Sequence, residues 1–110
     1  MKLLNSTPVT QGIRYSAGYT HGCTVTIVHG NPKVIPDKEK LHYHTKDSEY
    51  FYVLEGTLTV NVAGQDILIA KGQCLEAEPM EIHKIVKLGL NAEYIIVRTN
   101  VLPSEKVVIE

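Results

Sequence analysis

Cysteine is scarce in this 110-residue sequence: there are two, Cys23 and Cys74, far apart and in no CxxC arrangement. That excludes a thiolate zinc knot or a redox pair, and leaves small buried side chains in a reducing compartment as their expected role. Excess positive charge is also lacking, with 11 Lys and Arg against 12 Asp and Glu. Without a basic stripe to neutralise phosphates, nucleic acid is not an expected partner. Nor does any apolar run approach the ~20 residues that cross a bilayer, so no membrane partner is expected. The opening "MKLLNSTPVTQG" has one lysine and two consecutive leucines before it turns polar, which is too little for a signal peptide. A cytoplasmic protein is the expectation. Helical periodicity is missing as well; even "EIHKIVKLGL" reads better as a strand followed by a turn at Gly89.

What the chain does have is β signal. "CTVTIVHG" (23–30), "EYFYVLEG" (49–56), "TLTVNV" (57–62), "DILIA" (66–70) and "AEYIIVRTN" (92–100) are short runs rich in Val, Ile, Thr and Tyr, with Gly or Asn between them. Gly56, and again Ala63-Gly64, fall between strand runs and predict two consecutive tight hairpins. The segment "GNPKVIPDKEK" (30–40) reads as a long polar loop, because its prolines stop a strand from continuing. Such spacing predicts an all-β sandwich or small barrel, and the length suits one domain over residues 1–110. "EYFYVLEG" is apolar or aromatic at nearly every position, where a half-exposed strand would alternate. Both of its faces are expected to be covered, the outer one by another sheet or a second subunit, and a homodimer is the expectation.

His42 and His44 are separated by one residue, so on an extended strand they share a face about 6.5 to 7 Å apart. Two imidazoles held this way can grip an ion, and Tyr43 then points to the other face. After the turn-like "TKDS", Glu49 starts the next strand close enough to bring a carboxylate back to the pair. Two nitrogens and an oxygen suit borderline divalent metals, although a solvated strand accommodates the same histidines. His83, in "EPMEIHKIV", is the candidate for a fourth donor.

Together these stretches resemble the cupin superfamily. "HYHTKDSEYFYVLEG" is similar to its first motif, G(X)5HXH(X)3-4E(X)6G, with His42, His44, Glu49 and Gly56 at matching spacings. "GQCLEAEPMEIH" resembles the second, G(X)5PXG(X)2H(X)3N, through Gly72, Pro79 and His83. The chain departs from the pattern at Pro36, Glu81 and Lys87 and in a proline one residue late; none of these positions is a ligand in the family. The resemblance implies a single cupin-type jelly-roll β-barrel with the first motif at 42–56 and the second at 72–83. It also implies that His42, His44, Glu49 and His83 coordinate one divalent metal, of which Mn, Fe, Ni, Zn and Cu occur in the family. Up to two positions of an octahedral ion then remain open for a small-molecule ligand.

The function implied is a metal-dependent enzyme on a small metabolite, of dioxygenase, isomerase or decarboxylase type. A non-catalytic binding module for a sugar or metabolite, or a dimeric scaffold with a vestigial site, are the alternatives. Tyr50 and Tyr52 are expected on the outer face at a subunit interface, and Phe51 and Val53 on the apolar floor of the cavity. Glu76, Glu78 and Glu81 form an acidic cluster suited to a solvated loop, to a general base or to orienting an imidazole. Arg98 suits a surface ion pair or a substrate carboxylate. His21 and His29 read as surface residues.

Overall fold

The computed structural model describes residues 1–10, 13–29 and 39–110. The predicted loop over 30–40 therefore lies almost wholly outside the described residues. Among those described there are eleven strands and no helix: β1 (Thr7–Thr10), β2 (Arg14–Thr20), β3 (Cys23–His29), β4 (His42–His44), β5 (Glu49–Glu55), β6 (Thr57–Val62), β7 (Gln65–Ala70), β8 (Cys74–Ala77), β9 (His83–Leu88), β10 (Glu93–Arg98) and β11 (Lys106–Val108). They form two sheets with all pairings antiparallel, ordered β1-β2-β3-β10-β5-β8 and β11-β4-β9-β6-β7. This is the all-β jelly roll that the sequence implied.

Strand alternation makes the core. Phe51 and Val53 of β5, Val28 of β3, and Tyr94 and Ile96 of β10 face inward from the six-stranded sheet. Leu58 and Val60 of β6, Ile85 and Leu88 of β9, and Ile69 of β7 meet them from the other. Each large apolar side chain taken fully out of water in this way contributes about 1.5 to 3 kcal/mol. The contact between the sheets is thus the main cohesive element.

The first of the two predicted hairpins is not one. β5 pairs with β10 and β8, whereas β6 pairs with β7 and β9, so the chain at Gly56 turns the corner from one sheet to the other. Gly56 has φ 72°, and a Cβ there would lie 3.0 Å from both Ala92 Cα and Leu90 O. Glycine is required because the corner is left-handed and packed against backbone. The second turn does close a hairpin: Ala63 (φ 51°) and Gly64 (φ 83°) join β6 to β7 in the left-handed geometry that suits twisted strands.

The cysteines also differ from expectation. Cys23 is half-buried and Cys74 exposed, the latter because it opens β8 opposite Tyr52 on the outward face of the sheet. Among the described residues, no helix is long and apolar enough to cross a membrane.

Candidate metal centre

The HxH pair falls on β4, a strand of three residues held between β11 and β9. Strand geometry sends His42 and His44 inward and Tyr43 outward. His83 opens β9 directly opposite His42 in register. Its approach is fixed by the preceding loop, where Met80 N donates to His44 O at 2.8 Å. Glu49 opens β5 in the other sheet, opposite Arg98 on one side and Ala77 on the other. The three imidazoles therefore reach in from one sheet and the carboxylate from the other.

All four side chains are buried, and one donor atom from each lies within 4.8 Å of the others. Ring centroids are 4.4 Å apart for His42 and His83, 5.1 Å for His42 and His44, and 5.5 Å for His44 and His83. Glu49 Oε1 accepts from His44 Nε2 at 3.1 Å and from His83 Nε2 at 3.0 Å. On the far side of the rings, His42 Nδ1 donates to Lys40 O at 2.7 Å and His83 Nδ1 to Glu81 O at 2.9 Å. Tying Nδ1–H to a carbonyl points Nε2 inward as a donor atom, the arrangement that metal-binding histidines use. Three nitrogens and one carboxylate oxygen, convergent and buried, are a donor set that could hold a metal ion.

The charges reflect this packing. Burial lowers His42 to about 4, keeping its ring neutral, with the Lys40 carbonyl acting against the shift. Burial opposes ionisation of Glu49, but hydrogen bonds from His44 and His83 outweigh it and hold the carboxyl well below the usual range. His83 is raised: burial pulls it down, and the Glu49 carboxylate and the Glu81 carbonyl more than reverse that. In the protein without metal, a His83 proton thus occupies the place a cation would take.

A cavity of about 490 Å³ opens beside the cluster and reaches His42, His44 and Glu49. Its apolar walls are Val9, Ile85 and Ile96. Phe51 and Val53 point inward as expected but belong to the closed core rather than to the cavity; Phe51 meets the edge of His83 with centroids 6.3 Å apart. Tyr50 and Tyr52 face outward, Tyr50 donating to Glu76 at 3.0 Å. Of the acidic cluster, Glu81 orients His83, through its carbonyl and not its carboxylate, which instead accepts from Glu78 N. His21 and His29 are exposed, and His29 pairs with Glu93.

Arg98 is neither a surface ion pair nor an unengaged substrate group. It lines the cavity, donates through Nε to Asp47 Oδ2 at 2.8 Å, and places Nη2 3.1 Å from His44 Nδ1. Asp47 is fully buried and also accepts from the Ser104 hydroxyl. Its position within "TKDS" carried only a turn signal. Glu39, in the cavity wall, was hidden in a polar stretch. Burial pushes its carboxyl up, with the Ile85 amide, 3.2 Å away, pulling the other way.

A family model described as a cupin domain matches residues 24–97, a span that includes all four clustered donors. The chain belongs to the cupin family. Among solved structures, this cupin is similar to a protein with a double-stranded β-helix domain from Klebsiella pneumoniae, with a TM-score of 0.71 at 18% identity over 94% of this chain and 90% of that one. A sugar phosphate isomerase of the cupin superfamily from Silicibacter pomeroyi gives 0.61 at 23% identity, over 78% of this chain and 59% of that one. The Streptomyces nucleoside dehydratase Pac13 gives 0.62 at 14% identity, over 87% and 78%. At these identities the likeness shows a common fold. Comparison with curated proteins finds no match.

Proposed function

We propose that this cupin is a metal-dependent enzyme acting on a small metabolite, with His42, His44, Glu49 and His83 holding one divalent transition metal. The observation that carries this reading is the convergence of four buried donors within 4.8 Å at the wall of a 490 Å³ cavity. Mn, Fe, Ni, Zn and Cu all suit such a set. When bound, the ion would act as a Lewis acid on an oxygen of the substrate.

The chain's own groups do the rest. Lys40 O and Glu81 O fix the His42 and His83 rings, so the donors need little reorganisation. Glu39 is the carboxyl in the cavity wall outside the ligand set, and its partly buried position suits it to hold or pass a proton at the substrate. Val9, Ile85 and Ile96 give the cavity its apolar walls. Isomerisation, oxygenation and decarboxylation are all compatible with these parts, and the isomerase and dehydratase among the similar structures support a small-molecule substrate.

We also propose a single barrel domain over residues 1–110, a homodimer formed through the outer face of the six-stranded sheet, and a cytoplasmic location. Two free cysteines, one of them exposed, favour a reducing compartment.

Elemental analysis of protein purified without added metal tests the reading. About one equivalent of a transition metal is expected, falling sharply in His83→Ala while the far-ultraviolet circular dichroism persists. Full metal retention in His83→Ala would remove His83 from the set. Protein that arrives empty and refuses added metal would overturn the reading in favour of a scaffold.

A further inference from the structure

The cavity has a second polar end. Across the inner face of the six-stranded sheet, Glu49 lies in register with Arg98, and Arg98 with Thr24. Four residues along β10, Tyr94 is in register with Val28, and Val28 with Arg14. At a strand rise of about 3.3 Å per residue, these two rows are separated by about 13 Å. His42, His44 and Glu49 thus stand at one end of the cavity wall and Arg14 towards the other.

The cationic groups of this wall are not equivalent. Arg98 is neutralised by the buried Asp47, and Lys106 is exposed at the edge strand. Arg14 is half-buried, and among the described residues no carboxylate pairs with it. A guanidinium withdrawn from water without an anion is costly unless something else supplies one. Close to it stands the Tyr94 hydroxyl, fully buried and without a hydrogen-bond partner among the described residues. Burial pushes this phenol up to about 12, with the Arg14 charge acting against the shift, so it remains an O–H donor. The Arg14 guanidinium is the neighbouring group that can donate to the phenol oxygen. The guanidinium can only donate and still lacks a counter-charge, which an oxyanion in the cavity would supply.

We propose that Arg14 anchors a carboxylate or phosphate on a small substrate whose other end faces His42, His44 and Glu49. The substrate class is then a metabolite with a metal-chelating oxygen at one end and an oxyanion at the other. Arg14 is the residue that selects it. A cavity of about 490 Å³ has the volume of a small-molecule site. This rests on the metal reading above.

The test uses cobalt-loaded protein, whose visible spectrum changes when a hydroxamate chelates the ion. Dissociation constants are measured for alkyl hydroxamates of increasing chain length, each paired with the same chain ending in a carboxylate or in a phosphonate. At the length that spans the cavity, the charged probe is expected to bind about tenfold tighter than its neutral counterpart. Arg14→Gln should abolish that preference, and Arg14→Lys should restore part of it. Whichever charged terminus shows the larger Arg14-dependent gain identifies the anion. Equal binding of neutral and charged probes at every length would overturn the proposal while leaving the metal site standing, as would a preference that survives in Arg14→Gln. Failure of both series to perturb the cobalt spectrum would overturn the metal reading and this proposal with it.

Discussion

Asp47 Oδ2 accepts from Arg98 Nε at 2.8 Å, and Nη2 of the same guanidinium stands 3.1 Å from His44 Nδ1. A guanidinium can only donate, so His44 Nδ1 is here an acceptor and its proton sits on Nε2, facing Glu49. If His44 held a metal through Nε2, its proton would have to sit on Nδ1 instead. The Nδ1 proton then needs an acceptor, and Asp47 Oδ1, 3.5 Å away, is in place for it.

Asp47→Asn is accordingly expected to weaken metal binding about 10- to 100-fold, measured by competition with a chromophoric chelator. The same change leaves Arg98 without its counter-charge in a partly buried setting. Chemical denaturation of the metal-free protein should show a loss of about 2 kcal/mol. An unaltered metal affinity would show that Asp47 serves the fold alone.

The pH dependence of the metal-free protein should be peaked. His42, lowered to about 4 when folded, takes up a proton on unfolding between its ordinary value near 6.5 and that lower value, so stability falls as pH drops through this window. Glu49, held low when folded, adds to the acid loss below 4.5. His83 works in the opposite sense. Its folded value is raised, so its contribution is complete below 6.5 and disappears as pH rises through the folded value. The denaturation midpoint should therefore be highest near pH 6.5. With metal bound, His83 must be neutral and the alkaline decline should vanish, while metal affinity should fall as pH drops through the histidine range. A midpoint that still declines above pH 6.5 in metal-loaded protein would contradict this assignment.

How much of this could be read from the residues alone follows from the range of the signals. His42, His44 and Glu49 were legible because a strand's two-residue period and a short turn bring them together locally. His83, 34 residues from Glu49, was a candidate donor from its own stretch, and the family motif tied it to the other three. Asp47 and Arg98 meet across 51 positions, and Arg14 and Glu39 gain meaning only from the cavity they border. No local pattern marks a polar residue that burial, and not its neighbours, makes important. The same limit explains Gly56: a glycine ending an apolar run is an identical signal for a hairpin and for a corner between sheets. Which one forms depends on whether β5 finds β10 and β8 or β6 as its neighbour.

That corner is testable. Gly56→Ala must adopt φ near 72° and place a methyl 3.0 Å from Ala92 Cα and Leu90 O, backbone atoms that cannot rotate aside. Left-handed strain and overpacking together should cost about 2 to 3 kcal/mol in chemical denaturation. A variant as stable as the parent would show that the corner relaxes freely.

The outer face of the six-stranded sheet carries the remaining expectation. Tyr15, Ile27, Ile95 and Tyr52 are in register across four strands, and the neighbouring row sets Val25, Val97 and Tyr50 side by side. Tyr52 is 42% and Val25 39% exposed within the single chain. Monomeric proteins rarely leave so continuous an apolar surface in water. A face of this kind on each of two copies can close symmetrically, since an isologous contact sets the same rows against each other. Sedimentation equilibrium of the parent protein should give the mass of a dimer. Tyr52→Arg places a charge in the middle of that contact, where a symmetric pairing would bring two such charges together. It should shift the population to monomer with an unchanged far-ultraviolet spectrum. A parent protein that sediments as a monomer would show that the apolar rows have another purpose.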